Sequence, residues 1–211
     1  MKRWIVLAIL FACISGVTSL AEAQQKGKVL VILREGESQN LEMLLSDEVV
    51  VMRDKIEQAG FEAVVASVSG KPFAAEKTTV TPDLKLGDVN VADYAGVMVP
   101  CLAVDSPPAP EAIAIIKEAA AEGKPVAAQR GSVPTLAAAG VLTGKKYAHA
   151  AEPSTDESPA FKGAEFVGTG VVQDGNVLTS GVCPLAAVSL NLEDGTDELT
   201  QRFIDSLNSG K

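Results

Sequence analysis

The sequence predicts an α/β protein: a doubly wound, mostly parallel sheet with helices on both faces. Three observations predict it. Short, nearly continuous apolar runs recur at residues 28–33, 61–68, 94–100 and 125–129, as expected of strands covered on both faces. Helical stretches alternate with them through short joins, which implies right-handed crossovers. Gly60, Gly123 and Gly140 stand where helices commonly stop.

The first 23 residues are read as lying outside the fold. Lys2 and Arg3 precede an apolar stretch over 4–14, and Ala21-Glu22-Ala23 is a small-x-small signal before Gln24. That order is a Sec-type secretory signal, and the apolar run is short for a membrane span. Leu10-Phe11-Ala12-Cys13 only loosely resembles a lipobox, and Phe11 fits it poorly, so simple cleavage is expected rather than lipid anchoring at Cys13. The expectation is a periplasmic or secreted bacterial protein with no stable membrane span after cleavage. Residues 24–211 form a single domain, long enough for a substantial core.

The formal charge of the whole chain is −9. Cleavage removes two positive charges and one negative, leaving −10. Such an acidic chain excludes nucleic acid and anionic membrane as favoured partners.

The helix over 40–59 carries Leu41, Leu44, Leu45, Val49, Met52 and Ile56 on one stripe. A second strand follows at 61–68. A polar excursion over 69–91 turns at Gly70-Lys71-Pro72 and holds a short strand at 78–81. After the strand at 94–100, Pro107 and Pro108 begin a helix that runs to Glu122. Residues 124–142, KPVAAQRGSVPTLAAAGVL, then read as buried strand, sharp turn at Arg130-Gly131, and helix. Segments 165–173 and 176–179 flank Asp174-Gly175, a strong hairpin signal. Two helices close the chain at 184–192 and 197–207, the second with Thr196 as its N-cap and Asp197 and Glu198 in its first turn.

Ligands in such sheets bind at the carboxyl ends of the strands. Those ends are 34–39, 100–103 and 129–132. The turn at Arg130, Gly131 and Ser132 leaves helix N–H groups pointing outward, which suits an anion. Ser132 reads as a helix N-cap, with Pro134 in the first turn, and not as a nucleophile, because the surrounding sequence lacks the G-x-S-x-G pattern. The one histidine, His149, reads as a loop residue, and no His/Cys/carboxylate spacing suggests a metal site. The domain keeps two cysteines, Cys101 and Cys183. In an exported chain an even pair suggests a disulfide, with buried free thiols the alternative.

Several stretches in this order resemble the PfpI superfamily, which has the class I glutamine-amidotransferase-like fold. Residues 93–100, DYAGVMVP, resemble the strand that normally ends in Pro-Gly-Gly. Residues 127–131 with 136–146 resemble the family's nucleophile elbow, its helix and the Gly-Leu-Leu-x-Gly-Lys/Arg that follows. Residues 172–180, VQDGNVLTS, resemble its hairpin. The resemblance implies a flavodoxin-like three-layer sandwich and a site whose equivalents here are Glu42, Cys101, Leu102, Arg130 and Gly131.

In active members the elbow carries a cysteine; here Arg130 occupies that place, and arginine stays protonated and cannot attack. Cys101-Leu102 replace the Gly-Gly. Glu42 matches the family's helix acid, with Glu35 and Glu37 as rivals. The implied protein lacks the family's cysteine catalysis. It would bind a small anionic ligand or a protein partner around Arg130, Gly131 and Ser132, need no cofactor, and self-associate as a homodimer. The alternative is a hydrolase-, peptidase- or glyoxalase-like enzyme using Cys101 or a non-thiol mechanism. Arg130 either binds an anion or pairs with Glu42. The family's Thr-Ser-x-Gly-Pro loop, here 179–184, would carry Cys183 towards Cys101.

Overall fold

The computed structural model describes residues 25–103, 106–153 and 158–210; the expected signal segment lies outside them. β1 (Lys28–Ile32) leads into α1 (Leu41–Leu44), a π-helical turn (Leu45–Val49) and α2 (Val50–Gln58). Asn40 caps this helix through its side chain, which accepts from the Met43 amide at 3.3 Å. β2 (Glu62–Ser67) follows, then a small antiparallel pair, β3 (Phe73–Ala74) and β4 (Thr79–Val80), and an edge strand, β5 (Leu84–Lys85). β6 (Tyr94–Val99), α3 (Pro110–Ala121) and β7 (Val126–Gln129) come next. A 3₁₀ turn (Arg130–Ser132) enters α4 (Val133–Ala138). β8 (Lys146–Tyr147) pairs with β9 (Glu165–Phe166). The hairpin β10 (Val171–Asp174) and β11 (Val177–Ser180) precedes α5 (Pro184–Leu190) and α6 (Thr196–Ser209).

Seven strands form one sheet in the order β10-β11-β7-β6-β1-β2-β5, parallel throughout except at the β10/β11 hairpin. Alternate residues feed two cores. Val29, Val31, Met98 and Leu178 pack with Leu45, Met52, Phe203 and Leu207 on the face of α1, α2 and α6. Leu30, Ile32, Val97 and Val99 pack with Ile116, Val133 and Leu136 on the face of α3 and α4. This is the expected sandwich with helices on both faces. No helix of the described residues is long and apolar enough to cross a membrane.

Four local expectations are corrected. The strand expected over 165–173 is split: residues 165–166 join β8, and Gly168, at φ 125°, breaks the run before β10. The helix expected from Pro107 begins at Pro110. Ser132 does not cap α4 through its side chain; its hydroxyl instead donates to the Pro100 carbonyl at 2.5 Å. Thr196 opens α6 rather than capping it, because its own hydroxyl is taken by Asp194 at 2.8 Å and the cap position falls to Gly195.

Candidate functional site

The chain steps from β1 outward to β2 and then back across to β6, so the order of strands reverses beside β1. Clefts in doubly wound sheets lie at the carboxyl ends of strands at such a reversal. Four strands there each supply one chemically active residue just past their ends: Arg34 after β1, Cys101 after β6, Arg130 after β7 and Cys183 after β11. The fifth comes from above, as Glu48 in the π-helical turn.

Arg130 stands at the apex of a strained elbow, with φ at 35°. Non-glycine residues rarely adopt this conformation, and it gathers at functional sites. The turn is held on three sides. Gln129 Nε2 donates to the Val182 carbonyl at 2.6 Å and to the Thr196 hydroxyl at 3.1 Å. Arg34 donates to the Gly131 and Ser106 carbonyls, and to Leu102 O at 3.3 Å. Ser132 is tied to Pro100, as above.

Arg130 Nη1 lies 4.0 Å from the Cys183 sulfur. The disulfide expected between Cys101 and Cys183 is not formed: both are free thiols, buried with their sulfurs near one another but unbonded. Their sulfurs and a Glu48 carboxylate oxygen all lie within 4.8 Å of one another. The Cys101 N–H donates to Glu48 Oε1 at 2.5 Å, and the Cys101 sulfur accepts from the Gly131 N–H at 3.3 Å. Glu48 Oε2 is buried and has no hydrogen-bond partner.

These contacts sort the ionisation states. The hydrogen bond from Cys101, helped by the Ala186 amide and Arg130, outweighs burial and lowers Cys183 to about 6. That same bond to Cys183, together with burial and Glu48, pushes Cys101 well above the usual thiol range. Burial, reinforced by the charge of Cys183, raises Glu48 well above the usual carboxylate range. Of the two thiols Cys183 is the more acidic, while Cys101 and Glu48 both hold their protons more tightly than such groups usually do.

The structure brings together Cys101, Leu102, Arg130, Gly131, Ser132 and Cys183. It does not bring Glu42. That carboxylate accepts from the Lys77 amide at 2.8 Å, the Thr78 amide at 3.2 Å and the Thr78 hydroxyl at 2.7 Å, pinning the β3–β4 loop. The expected Arg130–Glu42 pair is absent for this reason, and the helix acid at the site is Glu48. Glu35 accepts from the Ser69 amide at 2.7 Å, also away from the elbow, and Glu37 is exposed.

The anion cradle expected at the turn is largely filled. The Gly131 N–H faces a sulfur, the Cys101 N–H faces Glu48, and the Leu102 N–H is bonded to Pro100 O at 3.0 Å. His149 is half-buried against Phe161, its Nδ1 3.0 Å from Ala151 O.

Sequence reasoning missed Glu48 and Arg34, though both left signals. Glu48 continues the four-residue spacing of Leu44, Met52 and Ile56, a lone carboxylate on an apolar stripe. A spacing of four drifts by about 40° per step in a 3.6-residue helix; the wider π turn takes up that drift. Such turns recur at functional sites. Arg34 directly follows the apolar run 28–33 and is buried with it.

A doubly wound sheet with a strained strand–turn–helix elbow at the switch point defines a class of α/β proteins that place their chemistry on that elbow. Within that class, the chain belongs to the DJ-1/PfpI family, whose profile matches residues 28–193. It is 32% identical over 141 residues to "Deglycase TK1284" of Thermococcus kodakarensis, covering 63% of this chain and 81% of that one. It is also 32% identical over 159 residues to an uncharacterised protein of Archaeoglobus fulgidus, covering 72% and 87%. The crystal structure of a ThiJ/PfpI domain protein from Brachyspira murdochii superposes with a TM-score of 0.65 at 17% identity, covering 86% and 96%, and shares the fold.

Proposed function

We propose that this protein carries out its thiol chemistry at the Cys101–Cys183 pair instead of at the elbow, as an exported dithiol–disulfide redox protein. The observation that carries the reading is the sulfur pair within 4.8 Å, with Arg130 against one member. Arg130 cannot attack, but a guanidinium beside a sulfur favours its thiolate. Burial of both sulfurs limits their partners to small reagents or to chains that open the site. Export is supported by the order of Lys2, Arg3, the apolar run and Ala21-Glu22-Ala23, and an oxidising compartment would let the pair cycle.

In the forward step the Cys183 thiolate attacks one sulfur of a small disulfide, the S–S bond breaks, and one thiol leaves. Cys101 then attacks the mixed disulfide and releases the second. Two protein thiols and one disulfide become one protein disulfide and two small thiols. The same pair is the half-cystine bridge expected of an exported chain, now in reversible form. A homodimer belongs to this reading, supported by the exposed Val188, Leu190 and Leu192. The small anion or protein partner would meet the remaining N–H groups of Arg130.

The test is trapping with oxidised glutathione. Cys101→Ser should accumulate a glutathione adduct on Cys183, and the unsubstituted protein should lose two hydrogens in mass without a stable adduct. Adducts of equal yield in Cys101→Ser and Cys183→Ser, or no bridge in the parent protein, would overturn the reading. A hydrolase-like role is the second reading, favoured by the relative named a deglycase. In it the nucleophile is Cys183 rather than Cys101, and an acyl or hemithioacetal adduct would appear on Cys183 alone.

A further inference from the structure

We infer that Glu48, Cys101 and Cys183, in the reduced form of the pair invoked above, make a buried three-donor site for a borderline-soft divalent cation of the zinc class, its fourth tetrahedral position left to water or another small ligand. The three residues lie far apart in the sequence, so no ligand spacing announces them. The fold alone assembles two sulfurs and a carboxylate oxygen within 4.8 Å of one another, all buried.

Three features point to a cation there. The first is Glu48 Oε2, a fully buried carboxylate oxygen without a partner, while Oε1 is fixed by the Cys101 amide. Orphaned buried polar atoms are rare in native proteins and ask for an occupant. The second is the donor spacing. Zinc binds sulfur at roughly 2.3 Å and carboxylate oxygen at roughly 2.0–2.2 Å in tetrahedral geometry. Donors at such distances sit roughly 3.5–3.8 Å apart, so from within 4.8 Å the three would close by at most about 1 Å. The third is charge. Two thiolates and a carboxylate around a divalent ion leave one net negative charge, and the Arg130 guanidinium against Cys183 balances it.

The donor types choose the ion. Magnesium and calcium require six or more oxygens. Two thiolates select softer ions, and a hard carboxylate as third ligand favours divalent zinc over monovalent copper. The outer contacts are also those of a metal site. The Gly131 N–H orients the Cys101 sulfur, and the Cys101 N–H orients the carboxylate. A bound ion would hold the two sulfurs apart, so metal and disulfide exclude each other and oxidation would eject the ion.

Cobalt(II) is the probe, added to the reduced, chelator-washed protein. One equivalent should give a thiolate-to-cobalt charge-transfer band in the near ultraviolet, and one equivalent of zinc should abolish it. Cys101→Ser and Cys183→Ser should each weaken the band by half or more. Glu48→Gln keeps the shape and the acceptor for the Cys101 amide, and should weaken zinc binding at least tenfold by chelator competition. Absence of the band at one equivalent, or unchanged zinc affinity in Glu48→Gln, overturns the inference. The redox reading fails separately: cobalt bound with no bridge formed by oxidised glutathione removes that reading and leaves the metal site, and the converse removes the site alone.

Discussion

Arg130 is the residue on which the placement of the site depends, and its backbone gives a quantitative test. Its φ of 35° is in the left-handed region, which costs an L-residue roughly 1–2 kcal/mol. The turn cannot relax, because Gln129, Gly131 and Ser132 are each anchored to other elements. Replacing Arg130 by alanine removes the guanidinium and keeps the strain. Replacing it by glycine removes both, at an added unfolded-state entropy of roughly 0.5–1 kcal/mol. Comparing the two variants cancels the lost contact with Cys183. Arg130→Gly should therefore be more stable than Arg130→Ala by about 0.5–1 kcal/mol, or about 2–4 °C in Tm for each kcal/mol in a chain of this size. Urea denaturation of the reduced proteins, with equal m-values, is the assay. An alanine variant as stable as the glycine variant would refute a strained apex at this position.

The acid at the site can be separated from the one that pins the loop. Glu42→Gln should leave the Cys183 thiolate, followed by its ultraviolet absorbance, half-formed near 6 as in the parent; Arg130→Ala should move that midpoint upward. Burial raises Glu48 in the fold, so its contribution to stability is complete below the ordinary carboxylate value of 4.5 and is lost as pH rises above it. Glu48→Gln should flatten this fall in metal-free protein, read as the slope of unfolding free energy against pH; an unchanged slope would mean another group is responsible. Gly96→Ala should destabilise by roughly 1–3 kcal/mol, because an added Cβ would meet Phe203, Leu207 and the Pro125 carbonyl at 2.9 Å; a neutral result in denaturant titration would show that α6 can shift outward.

The parallel sheet was legible because strands buried on both faces leave unbroken apolar runs, and the helices because glycine stops follow them. Gly60, Gly123 and Gly140 do adopt positive φ. The hairpin at Asp174-Gly175 was legible for the same local reason. The site was less so. The resemblance put the helix acid at Glu42, in the first turn of the helix, with Glu35 and Glu37 as rivals, while the apolar stripe already read through Ile56 runs past Glu48. Glu48 declares itself only when the polar residues lying on that stripe are asked for as well as the apolar ones. Side-chain roles decided by tertiary contact were hidden as well: the Ser132 hydroxyl chose the Pro100 carbonyl over the helix it precedes, and no local pattern encodes that choice.

A guanidinium at the elbow changes what the rest of the site must contain. A half-buried cation beside apolar walls needs a counter-charge or a set of acceptors. Among the described residues, Arg130 finds a sulfur, that of Cys183, at 4.0 Å. Cys183 is lowered first by the Cys101 thiol beside it and then, more weakly, by that cation, while the same contact raises Cys101. Glu48 is raised first by its burial and then by the negative charge of Cys183 beside it. The four side chains thus share a small number of protons and charges, and none can be changed alone. A double-mutant cycle on Arg130→Ala and Cys183→Ser should show coupling above about 0.5 kcal/mol, the threshold below which two sites count as independent. Additive effects would mean that the arginine and the sulfur are neighbours without being partners.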